Sequence, residues 1–132
     1  MRGSKKIQSL GELQLAILRA LWARGEATVT EVHAALQRER GLAPTTIATM
    51  LKKMERKGVV AHRTDNRRFV YRAAVSEDAV TRSLVSSLTE RLFGGEPLAL
   101  VSHLVAEHDV DPRELEEIKA RVTAAKDKEK DR

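Results

Sequence analysis

Apolar residues recur at intervals of three and four through most of the chain, a spacing that predicts a series of helices. Over residues 10–22 the apolar stripe leaves little polar surface, which is typical of a buried helix. A second helix is predicted over residues 31–39, with Thr30 as its N-cap. A third is predicted to begin at Pro44 and to end at Gly58, because proline suits a first helical turn and glycine suits a helix end.

Two β-prone runs follow the third helix and predict a β-hairpin. They cover residues 59–63 and 68–72, and the segment between them includes Asp65 and Asn66, which tolerate the positive φ of tight turns. Three aromatic side chains lie within the apolar patterns of this half and are expected to anchor its core: Trp22, Phe69 and Tyr71.

The third helix has two chemically different faces. Its apolar residues stand at i, i+3, i+4 and i+7 and form one buried face: Ile47, Met50, Leu51 and Met54. The opposite face is cationic and rich in hydroxyl groups, with no carboxylate near its centre. Such side chains can contact phosphates and base edges, so this helix and the hairpin supply the predicted DNA-binding set: Thr45, Thr46, Thr49, Lys52, Lys53, Arg56, Arg63, Arg67 and Arg68.

Charge divides the chain at residue 74. Residues 1–74 contain 15 Lys and Arg against six Asp and Glu, a net charge of +9, whereas residues 75–132 contain nine against 13, a net charge of −4. Three helices followed by an arginine-tipped hairpin have the outline of a winged helix-turn-helix, in which the third helix enters the major groove and the wing lies across the backbone. A basic first half supports this interpretation, because polyanions attract such a surface.

The second half, residues 75–132, is predicted to be a helical dimerisation domain. Its helices have narrow apolar stripes typical of helix pairing, and about 56 residues bury such stripes more easily against a second copy than alone. The fold class is therefore mainly α with a small β-hairpin. The tail from Lys126 is wholly charged and is expected to fray. The predicted dimerisation residues are Leu84, Leu88, Leu92, Leu98, Val101, Leu104, Val105, Leu115, Ile118 and Val122.

Composition excludes several classes of protein. With no Cys among 132 residues, the chain has no disulfide, thiolate nucleophile or sulfur-bound metal site. No phosphate-binding loop, GxSxG elbow or i, i+4 histidine pair is present, so neither enzymatic activity nor a cofactor or metal is expected. The chain lacks an apolar run long enough to span a membrane and lacks a signal peptide, so a cytoplasmic location without membrane insertion is expected.

The sequence resembles the penicillinase-repressor family of the BlaI/MecI type over about residues 8–122. The resemblance lies in Leu10-Gly11-Glu12-Leu13-Gln14, in Thr30-Glu31-Val32, in the run from Ala43 to Val60, in Arg67-Arg68-Phe69-Val70-Tyr71 and in Phe93-Gly94-Gly95. Its most specific part is Thr45-Thr46-Ile47-Ala48-Thr49 with the downstream Lys57-Gly58. The resemblance implies a homodimeric winged-helix repressor that binds a promoter dyad in double-stranded DNA and dimerises through its C-terminal helices.

The resemblance also implies a route of induction. In better-known members, a membrane-bound sensor metalloprotease answers β-lactam, and the repressor is cut at an Asn-Phe bond within the dimerisation helices, which links the family to antibiotic resistance. An ungapped fit places that bond at about His103-Leu104, where the residues differ from Asn-Phe. The copper-responsive branch has a Cys-rich C-terminal motif, which this sequence lacks.

Two other functions fit the sequence. A small ligand held between the C-terminal helices could be the signal instead of a protease. A winged helix can also be a protein-interaction module without a DNA role, although the charge of +9 in the first half argues against that function.

Overall fold

The computed structural model describes residues 10–130, so the parts of the two predicted domains at residues 1–9 and 131–132 lie outside the described residues. Six helices and three strands follow one another in this range. Their order is α1 (Glu12–Arg24), β1 (Ala27–Thr28), α2 (Val29–Arg40), α3 (Pro44–Lys57), β2 (Val60–Asp65), β3 (Arg68–Ala73), α4 (Glu77–Phe93), α5 (Pro97–Glu107) and α6 (Pro112–Lys130). The predicted mainly helical winged helix-turn-helix is confirmed. Residues 126–130, predicted to fray, instead continue α6.

The start of α2 differs from the prediction. Its N-cap is Thr28, whose side chain accepts a hydrogen bond from the backbone of Glu31 while the Glu31 carboxylate accepts one from the backbone of Thr28. This reciprocal capping box needs Glu or Gln three residues after the cap, and Thr30 is followed there by His33. The prediction that Thr30 is the cap was therefore wrong.

The hairpin pairs with a third short strand. The antiparallel sheet has the order β1-β3-β2, so β3 is central and its Tyr71 lies opposite both Ala27 and His62. Asp65 pairs with Arg68, which leaves a two-residue loop of Asn66 and Arg67. Both loop residues have positive φ, +49° and +66°, as a type I′ turn requires.

The core of the first half joins α1, α2, α3 and the sheet. Its fully buried side chains include Ile17, Leu18, Leu21, Val32, Ile47, Leu51, Met54 and Tyr71. Each large apolar side chain of this kind contributes roughly 1.5–3 kcal/mol on burial. Trp22 packs against this core and donates from Nε1 to the carbonyl oxygen of Val75 at 2.9 Å. Phe69 was expected in the core but is 41% exposed, because it lies near the tip of the wing.

The described chain divides into two compact units, the first ending at Ser87 and the second beginning at Leu88. The division falls within α4. In the first unit, Val80 is buried and Leu84 packs against the core. In the second unit, α5 has no buried residue although it is rich in apolar side chains.

Candidate nucleic-acid interface

Helix α3 presents a polar, cationic face to solvent. Ile47, Leu51 and Met54 are fully buried on its inner side. Pro44 begins the helix, and Gly58 ends it with φ +85°, a left-handed conformation that glycine adopts without steric cost. Because one face is fixed in the core, the outer side chains are held together at the surface, and all six predicted contacts of this helix are exposed: Thr45, Thr46, Thr49, Lys52, Lys53 and Arg56.

Side-chain hydrogen bonds hold α3 against α1 and fix the turn that precedes α3. Gln14 is buried on α1, donates from Nε2 to Sδ of Met50 at 3.2 Å and accepts at Oε1 from Nζ of Lys57 at 3.2 Å. These two contacts are two helical turns apart, so one amide fixes much of the length of α3. Nε2 of His33 donates to the carbonyl oxygen of Leu42 at 2.6 Å and fixes the turn between α2 and α3.

The carboxylate of α3 is directed at the wing. Glu55 contacts Nδ1 of His62 on β2, and the imidazole ring of His62 stacks on Phe69 with centroids 4.0 Å apart. Burial, and next the charge of Glu55, raise the pKa of Tyr71 above its ordinary value. The exposed face of α3 therefore keeps its positive charge, while the carboxylate joins the helix to the hairpin.

The alternation of side chains along β2 and β3 shows which surface each wing arginine occupies. Arg67 lies at the exposed tip, whereas Arg63 and Arg68 point to the sheet face opposite Tyr71. Arg72 is exposed on that same face and was missing from the predicted set, although period-two alternation along β3 could have identified it.

Arg63 already has a partner. Its Nε donates to Oε2 of Glu26 at 3.1 Å and its Nη2 donates to Oε1 at 2.7 Å, a bidentate pair. The hydrogen bond from Arg63 lowers the pKa of Glu26 below its ordinary value, and the same bond raises the pKa of Arg63. The positive charge of Arg63 is thus largely compensated.

Most of the predicted dimerisation residues are exposed in the single chain. Leu92 is 70% and Leu98 is 80% exposed, whereas Leu84 and Leu115 are half-buried. His103 and Leu104, the predicted cleavage position, lie in the interior of α5, where His103 contacts the ring of Phe93. The exposed apolar residues of the predicted set are Leu88, Leu92, Leu98, Val101, Leu104, Val105, Ile118 and Val122.

Among the side chains that the structure describes, at residues 10–37 and 41–129, no three His, Cys, Asp or Glu cluster in a way that could hold a metal ion. None of the described helices combines the length and hydropathy needed to cross a membrane.

Helix α3 has an apolar face in the core and a basic face in solvent, and it lies next to an arginine-tipped hairpin. This arrangement defines a winged helix-turn-helix regulator. The chain belongs to the penicillinase-repressor family, whose model, described as "Penicillinase repressor", matches residues 10–124. The family resemblance predicted from the sequence is confirmed. Members of this family are transcriptional repressors, not enzymes.

Relatives align along most of the chain. The transcriptional regulator BlaI of Mycobacterium tuberculosis is 34% identical over 122 residues, which cover 87% of this chain and 88% of the relative. The penicillinase repressor of Bacillus licheniformis is 25% identical over 114 residues, which cover 86% of this chain and 89% of the relative. The solution structure of monomeric Bacillus licheniformis BlaI with the blaP half-operator is 28% identical, with a TM-score of 0.48, covering 55% of this chain and 88% of that one.

Proposed function

We propose that this chain is a homodimeric repressor that occludes a promoter dyad in double-stranded DNA. The observation that supports this most directly is the exposed, carboxylate-free face of α3 beside the arginine-tipped wing, in a chain of the penicillinase-repressor family. Relatives of the family are named as transcriptional regulators and repressors.

The two basic elements have different roles in this proposal. Helix α3 enters the major groove, where threonine hydroxyl and methyl groups and the cations of Lys52 and Arg56 contact base edges. Arg67 and Arg68 on the wing neutralise phosphates, which contributes affinity for any duplex.

The second unit supplies the dimer contact. A single chain leaves eight of the predicted apolar residues exposed on α4, α5 and α6, and a second copy of the chain would bury them. Two linked DNA-binding heads gain affinity through effective concentration, so a signal that separates the C-terminal helices releases the operator.

The signal is proposed to act on these dimerisation helices. One form is cleavage near His103-Leu104 by a membrane sensor protease, as the family resemblance implies. That bond lies inside α5, and backbone hydrogen bonds hold it in helical form, so a protease would first have to unwind the helix. Incubation with the purified protease domain and mass spectrometry of the fragments tests this route, and an intact α5 would exclude it.

Titration against the protein's own upstream promoter region and a scrambled duplex, at two salt concentrations, tests the DNA-binding function. We expect the promoter complex to be at least about 10³ times tighter, with steep salt dependence. Equal, weak binding to both duplexes would contradict a sequence-specific repressor.

Lys52→Ala tests the role of α3 in specificity. Loss of a base contact should reduce the discrimination between promoter and scrambled duplex by about 1–3 kcal/mol. Arg68→Ala, which removes the same charge from the wing, should instead weaken both complexes alike and reduce the salt slope by about 0.9. Equal effects of the two substitutions on both duplexes would contradict this division of roles.

A further inference from the structure

The bidentate pair of Arg63 and Glu26 crosses the whole sheet. Glu26 precedes the edge strand β1, Arg63 lies on the opposite edge strand β2, and β3 is between them. In register, Arg63 lies opposite Val70, and Val70 lies opposite Thr28. One side-chain contact therefore joins the two outer strands over the central one.

This pair lies on the sheet face opposite the contact with α3. His62 points to the other face, as alternation requires, and its imidazole contacts Glu55 of α3. The wing is thus tied from one face to the recognition helix and from the other face to the segment that leads into β1. Contacts on both faces restrict the angle of the hairpin.

The guanidinium of Arg63 uses its Nε and one Nη group on Glu26, in the planar arrangement with which arginine also binds phosphate. A phosphate contact by Arg63 would have to replace that carboxylate. Asp65 favours the charged form of Arg63 and Arg72 favours that of Glu26, whereas the like charge of Glu31 opposes the charge of Glu26.

We propose that Arg63 is a positioning residue, which together with Glu26 fixes the wing relative to α3, and that it does not contact DNA phosphates. This inference rests on the proposed DNA-binding function and reassigns one member of the predicted contact set. The phosphate contacts of the wing then come from Arg67 and Arg68 at and beside the tip.

A double-mutant cycle in the 132-residue chain tests the assignment. Glu26→Gln adds one unit of net charge, Arg63→Gln removes one, and the double variant keeps the charge of the wild type while lacking the pair. The exposed Asp78–Arg82 pair on α4 supplies matched controls: Asp78→Asn, Arg82→Gln and their combination. Each variant is titrated against the promoter duplex, and its amide hydrogen exchange is measured without DNA.

If Arg63 positions the wing, both single variants and the double variant bind promoter DNA about two- to fivefold more weakly than their charge-matched controls. In the same three variants, amides of β2 and β3 exchange faster without DNA. The double variant should bind promoter DNA no more weakly than either single variant, because each single substitution already breaks the pair.

Two results would overturn the proposal. If Glu26→Gln binds as tightly as Asp78→Asn or more tightly, while Arg63→Gln weakens binding and lowers the salt slope, Arg63 is a phosphate contact. If all three variants match their controls in binding and exchange, the pair has no positioning role. Failure of the DNA-binding function is distinguishable, since the wild type would then not bind the promoter, and the exchange rates alone would decide whether the pair restrains the wing.

Discussion

At the scale of single residues, the wing tip combines an unfavourable backbone with an arginine side chain. Arg67 has φ +66°, in the left-handed region that costs an L-residue roughly 1–2 kcal/mol and where glycine is preferred in a two-residue hairpin loop. Asn66, at φ +49°, tolerates that region better. Residues kept in costly conformations are concentrated at functional positions, which agrees with a binding role for the Arg67 side chain.

Arg67→Gly tests separately the backbone cost of positive φ and the charge of the Arg67 side chain. We expect the free energy of unfolding to rise by up to about 1 kcal/mol, because glycine adopts positive φ freely. Binding to promoter and scrambled duplexes should weaken alike, and the salt slope should fall by about 0.9. Urea unfolding measures the first effect and DNA titration at two salt concentrations the second.

Asn66→Gly is the matched control for that variant. It changes the neighbouring loop residue, which also has positive φ, and leaves the wing charge intact. Its salt slope should equal that of the wild type. Unchanged DNA binding by Arg67→Gly would show that the tip does not contact DNA.

At the scale of elements, the capping box joins the start of α2 to the end of α1. The Glu31 carboxylate accepts from the backbone N–H of Thr28 at 3.0 Å and from Nη2 of Arg24 at 2.7 Å. The first of these hydrogen bonds, and then the second, lower the pKa of Glu31 below its ordinary value of 4.5. Ionised Glu31 therefore stabilises the folded protein.

The pH dependence of stability follows from the lowered pKa of Glu31. A lowered folded-state pKa gives stabilisation that is fully present above the ordinary pKa and is lost as pH falls through the folded-state pKa. We expect Glu31→Gln to have a lower Tm than the wild type at pH 7, and the difference to shrink below about pH 4. Circular dichroism melts from pH 7 to pH 3 measure it.

Glu12→Gln is the control for charge, because Glu12 is in the first turn of α1, where no side chain caps the helix. A difference between Glu31→Gln and the wild type that stays constant down to pH 3 would show that ionised Glu31 is not the source of the stabilisation.

At the scale of the whole molecule, the proposed dimer contact makes DNA affinity depend on the exposed apolar residues of the second unit. Ile118 and Val122 lie on one face of α6, and Ala120 lies about 160° around the helix from each of them, nearly on the opposite face. If a second copy covers the first face, a charge there separates the dimer, whereas a charge at Ala120 does not.

Ile118→Glu should convert the dimer to monomers and lower promoter affinity by a factor of about 10² to 10⁴, because the two heads are no longer linked. Ala120→Glu adds the same charge to the same helix and should remain dimeric. Sedimentation equilibrium gives the mass, and DNA titration gives the affinity. Dimers of Ile118→Glu with unchanged affinity would place the interface elsewhere.

Local sequence patterns account for the elements and surfaces that could be predicted. Helices α1, α3 and the hairpin follow from the spacing of apolar residues and from proline and glycine at the ends of α3, and the exposed face of α3 follows from the same spacing. Two further features could have been predicted but were missed. The Thr-x-x-Glu pattern indicates the capping box at Thr28. Strand alternation places Arg72 on the same sheet face as Arg63 and Arg68.

By itself, the sequence determined the order of helices and hairpin and the basic face of α3, because periodicity, turn residues and charge act over a few neighbouring positions. Its motifs resemble those of the family whose model matches the chain. Only the tertiary structure decided that Phe69 lies outside the core, that Gln14 fixes α3 and that Arg63 pairs with Glu26. Those contacts join residues more than 30 positions apart or depend on where the core ends. Their formation depends on how the elements pack, which no local spacing specifies.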